Sequence, residues 1–298
     1  RLVGELKYNT SDFEVISSKS KIDFDLISEK EIIDLVTKRM SPNCSKNKPL
    51  FGRAIHFFRQ YENIRLMIFE GGHEQLPQAL SLIPYNNVTS LKYNILTIGD
   101  SNGQNKGGWV DQLQSMMPKS HIVNNSQSGR TIGFDNNGKK ELNGLKNIDS
   151  FLDKAQKSIK NKQFDFIIIS LGTNDSKNDF RDKQEDVSHN FEILLTKIKS
   201  HRLNKKSKTK LIFVTPPPMS NINIEFKYEG GNTRLATLVP KLKQIARNKG
   251  FFVVDVYSPL QEVFNLYAPD GVHMVSSGQK IIASQIINLM LSDQINSD

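Results

Sequence analysis

The sequence predicts an α/β protein with a parallel sheet in a three-layer arrangement, and three observations carry that prediction. From Tyr93 onward, short β-branched runs alternate with amphipathic stretches, the pattern of successive βαβ units. Each apolar run then gives way to polar and glycine residues, as strands of open α/β sheets do at the edge that carries their sites. The chain is also long enough for a sizeable core, with 298 residues of which 37% are hydrophobic and 24% charged.

Taken in order, the first strand is expected at 94–98, on the run Ile95-Leu96-Thr97-Ile98, and a helix at 108–117 follows it. A second strand at 121–124 leads through a polar loop to a helix at 144–159. The third strand, 165–171, is the apolar run around Ile167-Ile168-Ile169 and precedes a helix at 186–200. A fourth at 210–215, a helix at 232–248 and a fifth strand at 251–256 come next, and an amphipathic helix at 277–291 closes the domain. Before about Ser90 the chain reads differently: a charged, poorly patterned start, a loop at Ser41-Pro42-Asn43-Cys44, a helix-like stretch at 52–61 and a strand at 64–69. The boundary is expected between Tyr85 and Tyr93, giving a small N-terminal α/β segment over 1–91 and a catalytic domain over 92–298.

Composition narrows the classes of function. The net charge of +9 comes from lysines scattered through polar helices, without an aromatic-interleaved basic stretch, so no nucleic-acid partner is expected. No apolar run approaches the ~20 residues a membrane helix needs. The single cysteine, Cys44, excludes an intrachain disulfide. The chain opens on Arg1 with neither a methionine nor an apolar leader, so any signal peptide or upstream domain is expected either to have been removed or to lie outside this sequence; localisation is left open, a secreted or periplasmic one being compatible.

Four short segments supply the groups that ester hydrolysis by a serine nucleophile requires: Gly99-Asp100-Ser101-Asn102, Asn125-Ser126-Gln127-Ser128-Gly129-Arg130, Gly172-Thr173-Asn174-Asp175 and Asp270-Gly271-Val272-His273. Ser101 follows an apolar strand on a turn where Gly99 permits an unusual backbone angle, and it is the expected nucleophile; alone it also reads as a helix-capping serine. His273 is the expected base, with Asp270 three residues before it to fix the ring's tautomer and stabilise its charged form. Taken singly, such a histidine is an ordinary surface residue. The N–H of Ser101, a backbone N–H of the Ser128-Gly129 turn and the side-chain amide of Asn174 are the expected oxyanion donors, each worth ~3 kcal/mol in the transition state. Asn174 read in isolation merely caps the next helix. Metal-ligand spacing is absent, Asp175, Asp179 and Asp182 reading as decoration of a helix start, and no cofactor is expected.

These four blocks resemble those of the SGNH, or GDSL-like, hydrolase superfamily. The resemblance implies a flavodoxin-like three-layer α/β/α sandwich, with Ser101 as nucleophile, Gly129 and Asn174 as oxyanion donors, and His273 with Asp270 as base and orienter. Ser128-Gly129-Arg130-Thr131, Phe134-Asp135, Asn143-Gly144-Leu145 and Leu171-Gly172-Thr173-Asn174-Asp175-Ser176-Lys177 are further similar to the arylesterase and acyltransferase branch. That branch hydrolyses small acyl esters and in some members transfers the acyl group. Gly103, Gln104 and Asn105 depart from it, where a threonine and an aromatic residue usually follow.

Gly99-Asp100-Ser101-Asn102-Gly103 also satisfies the G-x-S-x-G pattern of an α/β-hydrolase elbow, but that fold requires several strands ahead of the serine. The run Arg65 to Glu74 resembles the last strand and histidine loop of a prolyl-oligopeptidase-type hydrolase. No matching elbow serine precedes His73, so it reads as structural. Trp109 reads as core. The loops at 131–143 and 219–231 and the run Pro216-Pro217-Pro218 lie on the predicted active edge, and Asp100, Arg130, Thr131 and Pro217 are expected to contact substrate. The expected substrate is a small-molecule or carbohydrate acyl ester, most naturally an O-acetyl group. The competing readings are a lysophospholipase or thioesterase and a catalytically inert glycan-binding module.

Overall fold

The computed structural model describes residues 88–159, 163–201, 208–222, 224–261, 264–291 and 295, together with the backbone of strands at 13–14, 53–60 and 63–70. The chain divides into two units, one of residues 85–287 and one of 1–84 with 288–298.

In the N-terminal unit, β1 (Phe13–Glu14), β2 (Arg53–Gln60) and β3 (Asn63–Glu70) form an antiparallel sheet in the order β1-β3-β2. The helix expected at 52–61 is therefore overturned. The run Ala54-Ile55-His56-Phe57-Phe58 is rich in β-formers, and only two residues separate it from the next strand, the spacing of a hairpin. Its residues pair with β3 throughout, from Arg53 opposite Glu70 to Gln60 opposite Asn63. The loop at Ser41 to Cys44 and the histidine segment with His73 lie outside the described residues.

The larger unit is built on five parallel strands: β4 (Asn94–Gly99), β5 (His121–Asn124), β6 (Phe166–Ser170), β7 (Lys210–Val214) and β8 (Phe252–Val254), in the order β5-β4-β6-β7-β8. This is the flavodoxin-like order, in which the chain first steps to one side of β4 and then returns to build outward on the other. Between strands stand α1 (Ser101–Gln104), α2 (Trp109–Met116), α3 (Gly144–Ser158), α4 (Gln184–Ser200) and α5 (Gly231–Asn248). After β8 follow α6 (Tyr257–Leu260), α7 (Phe264–Tyr267) and α8 (Ser276–Met290). Right-handed crossovers place α2 on one face and α3, α4 and α5 on the other, because the direction of the step along the sheet reverses.

Both faces of the sheet are buried, which accounts for the unbroken apolar runs of β4, β6 and β7. Leu96, Ile98, Ile167, Ile169 and Phe213 pack with Ile148, Leu152, Leu194, Ile198 and Leu242 in one core. Ile95, Ile168 and Ile212 point the other way and are equally buried, as is Trp109 of α2. Asn143 starts α3 by accepting the Lys146 N–H at 3.1 Å, an N-cap of the usual kind. No helix among the described residues is long and apolar enough to cross a membrane.

Candidate active site

The carboxyl ends of β4 and β6 flank the point where the strand order reverses, the place where open α/β sheets hold their ligands. β4 delivers Ser101 there as the first residue of α1. The cap of this helix is Asp100, whose carboxylate accepts the Asn102 N–H at 2.9 Å, so the serine is not itself the capping residue. Burial raises the Asp100 pKa, against hydrogen bonds from Asn102 and Thr173 that lower it. From α8, Gln279 donates to the Asn102 side-chain oxygen at 2.6 Å and pins the turn from the far side. Gly99 does not have the positive φ expected of it; what it supplies is room, since a Cβ there would stand 2.9 Å from the Ser126 hydroxyl.

The loop ahead of α8 brings His273 to Ser101, with Oγ and Nε2 2.9 Å apart across 172 residues of chain. On the other side of the ring, Nδ1 lies 2.6 Å from Asp270 Oδ2. The second oxygen of Asp270 accepts the N–H groups of Val272 at 2.9 Å and His273 at 2.7 Å, so the carboxylate is oriented before it meets the ring. Burial raises the Asp270 pKa, but these hydrogen bonds and the imidazole outweigh it and hold the group below the usual carboxylate range. An ionised Asp270 accepts from Nδ1–H, which assigns the lone pair to Nε2, facing the serine hydroxyl.

The segment after β5 runs alongside the same strand end. Asn125 N–H donates to Thr97 O at 2.9 Å, and Gln127 N–H to Gly99 O at 3.0 Å. Gly129 has φ +80, a left-handed conformation in which a side chain would be strained. The Asn174 amide donates to Arg130 O at 3.1 Å. The Asp175 carboxylate accepts the Ile132 N–H at 2.9 Å through both oxygens. Among the described residues, neither the Ser101 N–H nor the Gly129 N–H meets a protein acceptor.

Asp175 is therefore not decoration on a helix start. It is fully buried, and desolvation pushes its pKa up to about 7 in spite of the backbone hydrogen bonds. The four residues expected to contact substrate are likewise engaged inside the protein. Asp100 is 3% exposed and holds the nucleophile turn. Arg130 is 1% exposed, bonds to Asn125 O and to Gln127 Oε1, and stacks 4.2 Å over the Phe151 ring; burial lowers its pKa to about 10. Thr131 is buried with its hydroxyl on Phe134 O at 2.5 Å, and Pro217, in the segment after β7, is buried as well. The hydrogen bonds of Asp100, Arg130 and Thr131 shape the loops around the site from within.

Two residues with no expected role, Asn136 and Lys177, also join the cluster. Asn136 donates to Gly129 O at 2.6 Å and accepts from the Lys177 ammonium at 3.2 Å. The dipeptide Asn137-Gly138 was the legible signal: with φ +53 and +72 it forms the left-handed turn that this pair favours, and it aims Asn136 inward.

A flavodoxin-like sheet with a serine, histidine and aspartate gathered at its switch point defines the SGNH class of α/β hydrolases. Residues 95–286 match the GDSL-like lipase/acylhydrolase family, and the chain belongs to it. A GDSL esterase/lipase of Arabidopsis thaliana is 26% identical over 104 residues, covering 32% of this chain and 33% of its own; the chain thus spans about a third of the curated relative it matches. Among solved structures, a carbohydrate acetylesterase family member from Sinorhizobium meliloti is 19% identical, with a TM-score of 0.52 over 67% of this chain and 99% of its own. An aryl esterase of M. smegmatis is 20% identical, with a TM-score of 0.51 over 69% of this chain and 99% of its own. At these identities the likeness is one of fold.

Proposed function

We propose that the chain is a serine esterase acting on small acyl esters through an acyl-enzyme on Ser101. One observation carries the reading: the continuous contact from Ser101 Oγ to His273 Nε2 at 2.9 Å and from His273 Nδ1 to Asp270 at 2.6 Å. Ser101 attacks the ester carbonyl as His273 takes its proton; Asp270 stabilises the imidazolium, which then protonates the leaving alcohol. A water activated by the same histidine cleaves the acyl-enzyme and regenerates the serine. The N–H groups of Ser101 and Gly129 and the free amide hydrogen of Asn174 are the donors we assign to the tetrahedral oxyanion.

For the substrate we favour an O-acetyl ester of a carbohydrate. The polar loop at 131–143 supports it, as does likeness in fold to a protein described as a carbohydrate acetylesterase. A second reading has its own observation. Ile222 is 64% and Phe226 74% exposed on the segment whose Ser220 N–H bonds to Gly271 O, beside the histidine loop, and an apolar acyl or aryl group suits that surface. Hydrolysis rates for p-nitrophenyl esters from acetyl to palmitoyl, with acetate release from acetylated glycans, decide between them. Fast acetyl ester cleavage with acetate release supports the first, and preference for long chains the second. A fluorophosphonate probe that fails to label Ser101 would make the protein an inert binding module.

A further inference from the structure

Lys177 is 5% exposed, and among the described residues no carboxylate lies within ion-pair distance of its ammonium. An unpaired buried cation is expensive, so its contacts are informative. They are two: Asn136 Oδ1 at 3.2 Å and the Tyr228 ring face, 5.4 Å away. Burial and the Lys227 charge lower the pKa of Lys177 against the more distant Asp179, Glu225 and Asp100, while burial pushes the Tyr228 hydroxyl up to about 12, so the tyrosine remains a neutral ring.

An ammonium only donates, so the amide facing it must present its oxygen. That leaves the NH2 of Asn136 directed at Gly129 O, 2.6 Å away. The fit at this contact is close, because a Cβ on Gly129 would stand 3.1 Å from the same nitrogen. The Gly129–Arg130 peptide is thus held at both ends, its oxygen by Asn136 and its N–H by Gln127 O at 3.0 Å. The following peptide is held in the same way, by Asn174 on Arg130 O at 3.1 Å and by Leu142 O on the Thr131 N–H at 3.0 Å.

We propose that Lys177 and Asn136 are a positioning pair for the oxyanion hole: the ammonium fixes which way the asparagine amide faces, and the amide holds Gly129 O, fixing from its C-terminal side the residue whose N–H, in the preceding Ser128–Gly129 peptide, is the assigned donor. Neither residue touches the reacting atoms. The inference rests on the assignment of Gly129 as an oxyanion donor. Asp179, Glu225 and Asp100 act on the ammonium only from beyond ion-pair distance, so its direct polar partner is the dipole whose reversal would turn an oxygen toward Gly129 O and release the loop.

The test compares wild type with Asn136→Ala, Lys177→Met, Lys177→Arg and the double variant Asn136→Ala/Lys177→Met, using p-nitrophenyl acetate and the backbone amide resonances of Gly129 and Arg130. Each of the first two changes is expected to lower kcat by about 10- to 100-fold with KM within about twofold, since a small displacement of a donor is felt in the transition state. The double variant should be no slower than Asn136→Ala alone, and Lys177→Arg should recover most of the rate. Should Lys177→Met fail to fold, Lys177→Gln carries the same test, because its amide no longer dictates the orientation of Asn136. Undiminished kcat in the lysine variant overturns the pair. So does a loss confined to KM for an anionic ester such as p-nitrophenyl hemisuccinate, which would make Lys177 a substrate-binding charge. If wild type neither labels with fluorophosphonate nor cleaves any ester, the esterase reading fails by itself, and the amide resonances still decide. Parallel shifts in both single variants support the pair; unmoved resonances in Lys177→Met overturn it.

Discussion

Asn174 and Arg130, 44 residues apart in the chain, are joined by a buried hydrogen bond of 3.1 Å from the asparagine amide to the arginine's main-chain oxygen. The loop after β5 and the turn after β6 are therefore one rigid construction, and a single side chain both ties the loop and offers its second N–H to the proposed oxyanion. Asn174→Ala should lower kcat by about 100- to 1,000-fold while KM changes little. Steady-state kinetics on p-nitrophenyl acetate test this; an equal loss carried by KM would assign Asn174 to substrate binding instead.

Asp270→Asn should reduce kcat by about ten-thousand-fold, because the ring loses the partner that fixes its tautomer. Its pH signature follows from the depressed pKa of Asp270, whose ordinary value is 3.8. The stabilisation it brings is present above that value and lost as pH falls through the lower folded-state pKa. Thermal midpoints of wild type and variant, followed from pH 7 to pH 2, should keep a steady difference down to about pH 4 and converge below it. A gap unchanged over the whole range would contradict the assignment.

Asp175 has the opposite sign. Its pKa rises from 3.8 to about 7 on folding, so the native state holds a proton that the unfolded chain releases. The stability this contributes is complete below about pH 4 and is lost by about pH 7. Asp175→Asn, which keeps one acceptor for the Ile132 N–H, should gain on wild type as pH rises through that window and run parallel to it above. A difference in thermal midpoint that ignores pH would refute this.

Gly99→Ala should destabilise the fold by about 1–3 kcal/mol through overpacking against Ser126. The contact is with the hydroxyl at 2.9 Å, whereas the Ser126 Cβ lies at an ordinary 3.5 Å. Ser126→Ala should therefore restore most of the lost stability in the double variant, as denaturant unfolding would reveal. Simple additivity of the two changes would sink the steric account.

The five strands of the sheet were legible because each is a short apolar run that needs no distant partner to announce it, and β5 (His121–Asn124) lies where expected, at 121–124. The three long helices between strands agree for the same reason, with α3 ending at Ser158, one residue short of its expected range. The stretch at 52–61 misled because Phe57-Phe58 breaks strict alternation, while β2 takes its identity from pairing with β3. The serine, histidine and aspartate were found by block and order. The residues behind them were not: Asn136 meets Lys177 from 41 positions away, and an asparagine beside a glycine turn looks like any turn residue until its partners are placed. Asp175 misled because an aspartate near a helix start is ordinarily solvated, and only the fold takes it out of water.

The sheet order has a temporal consequence. Because His273 is synthesised 172 residues after Ser101, on the far side of every strand of the sheet, a nascent chain carries the hydroxyl and its surrounding amides long before it owns a proton acceptor. On the proposed mechanism, the nucleophile gains its base only once the loop that carries His273 has reached it. A chain that ends before His273 would hold the serine and the assigned oxyanion donors without the base that the proposal requires.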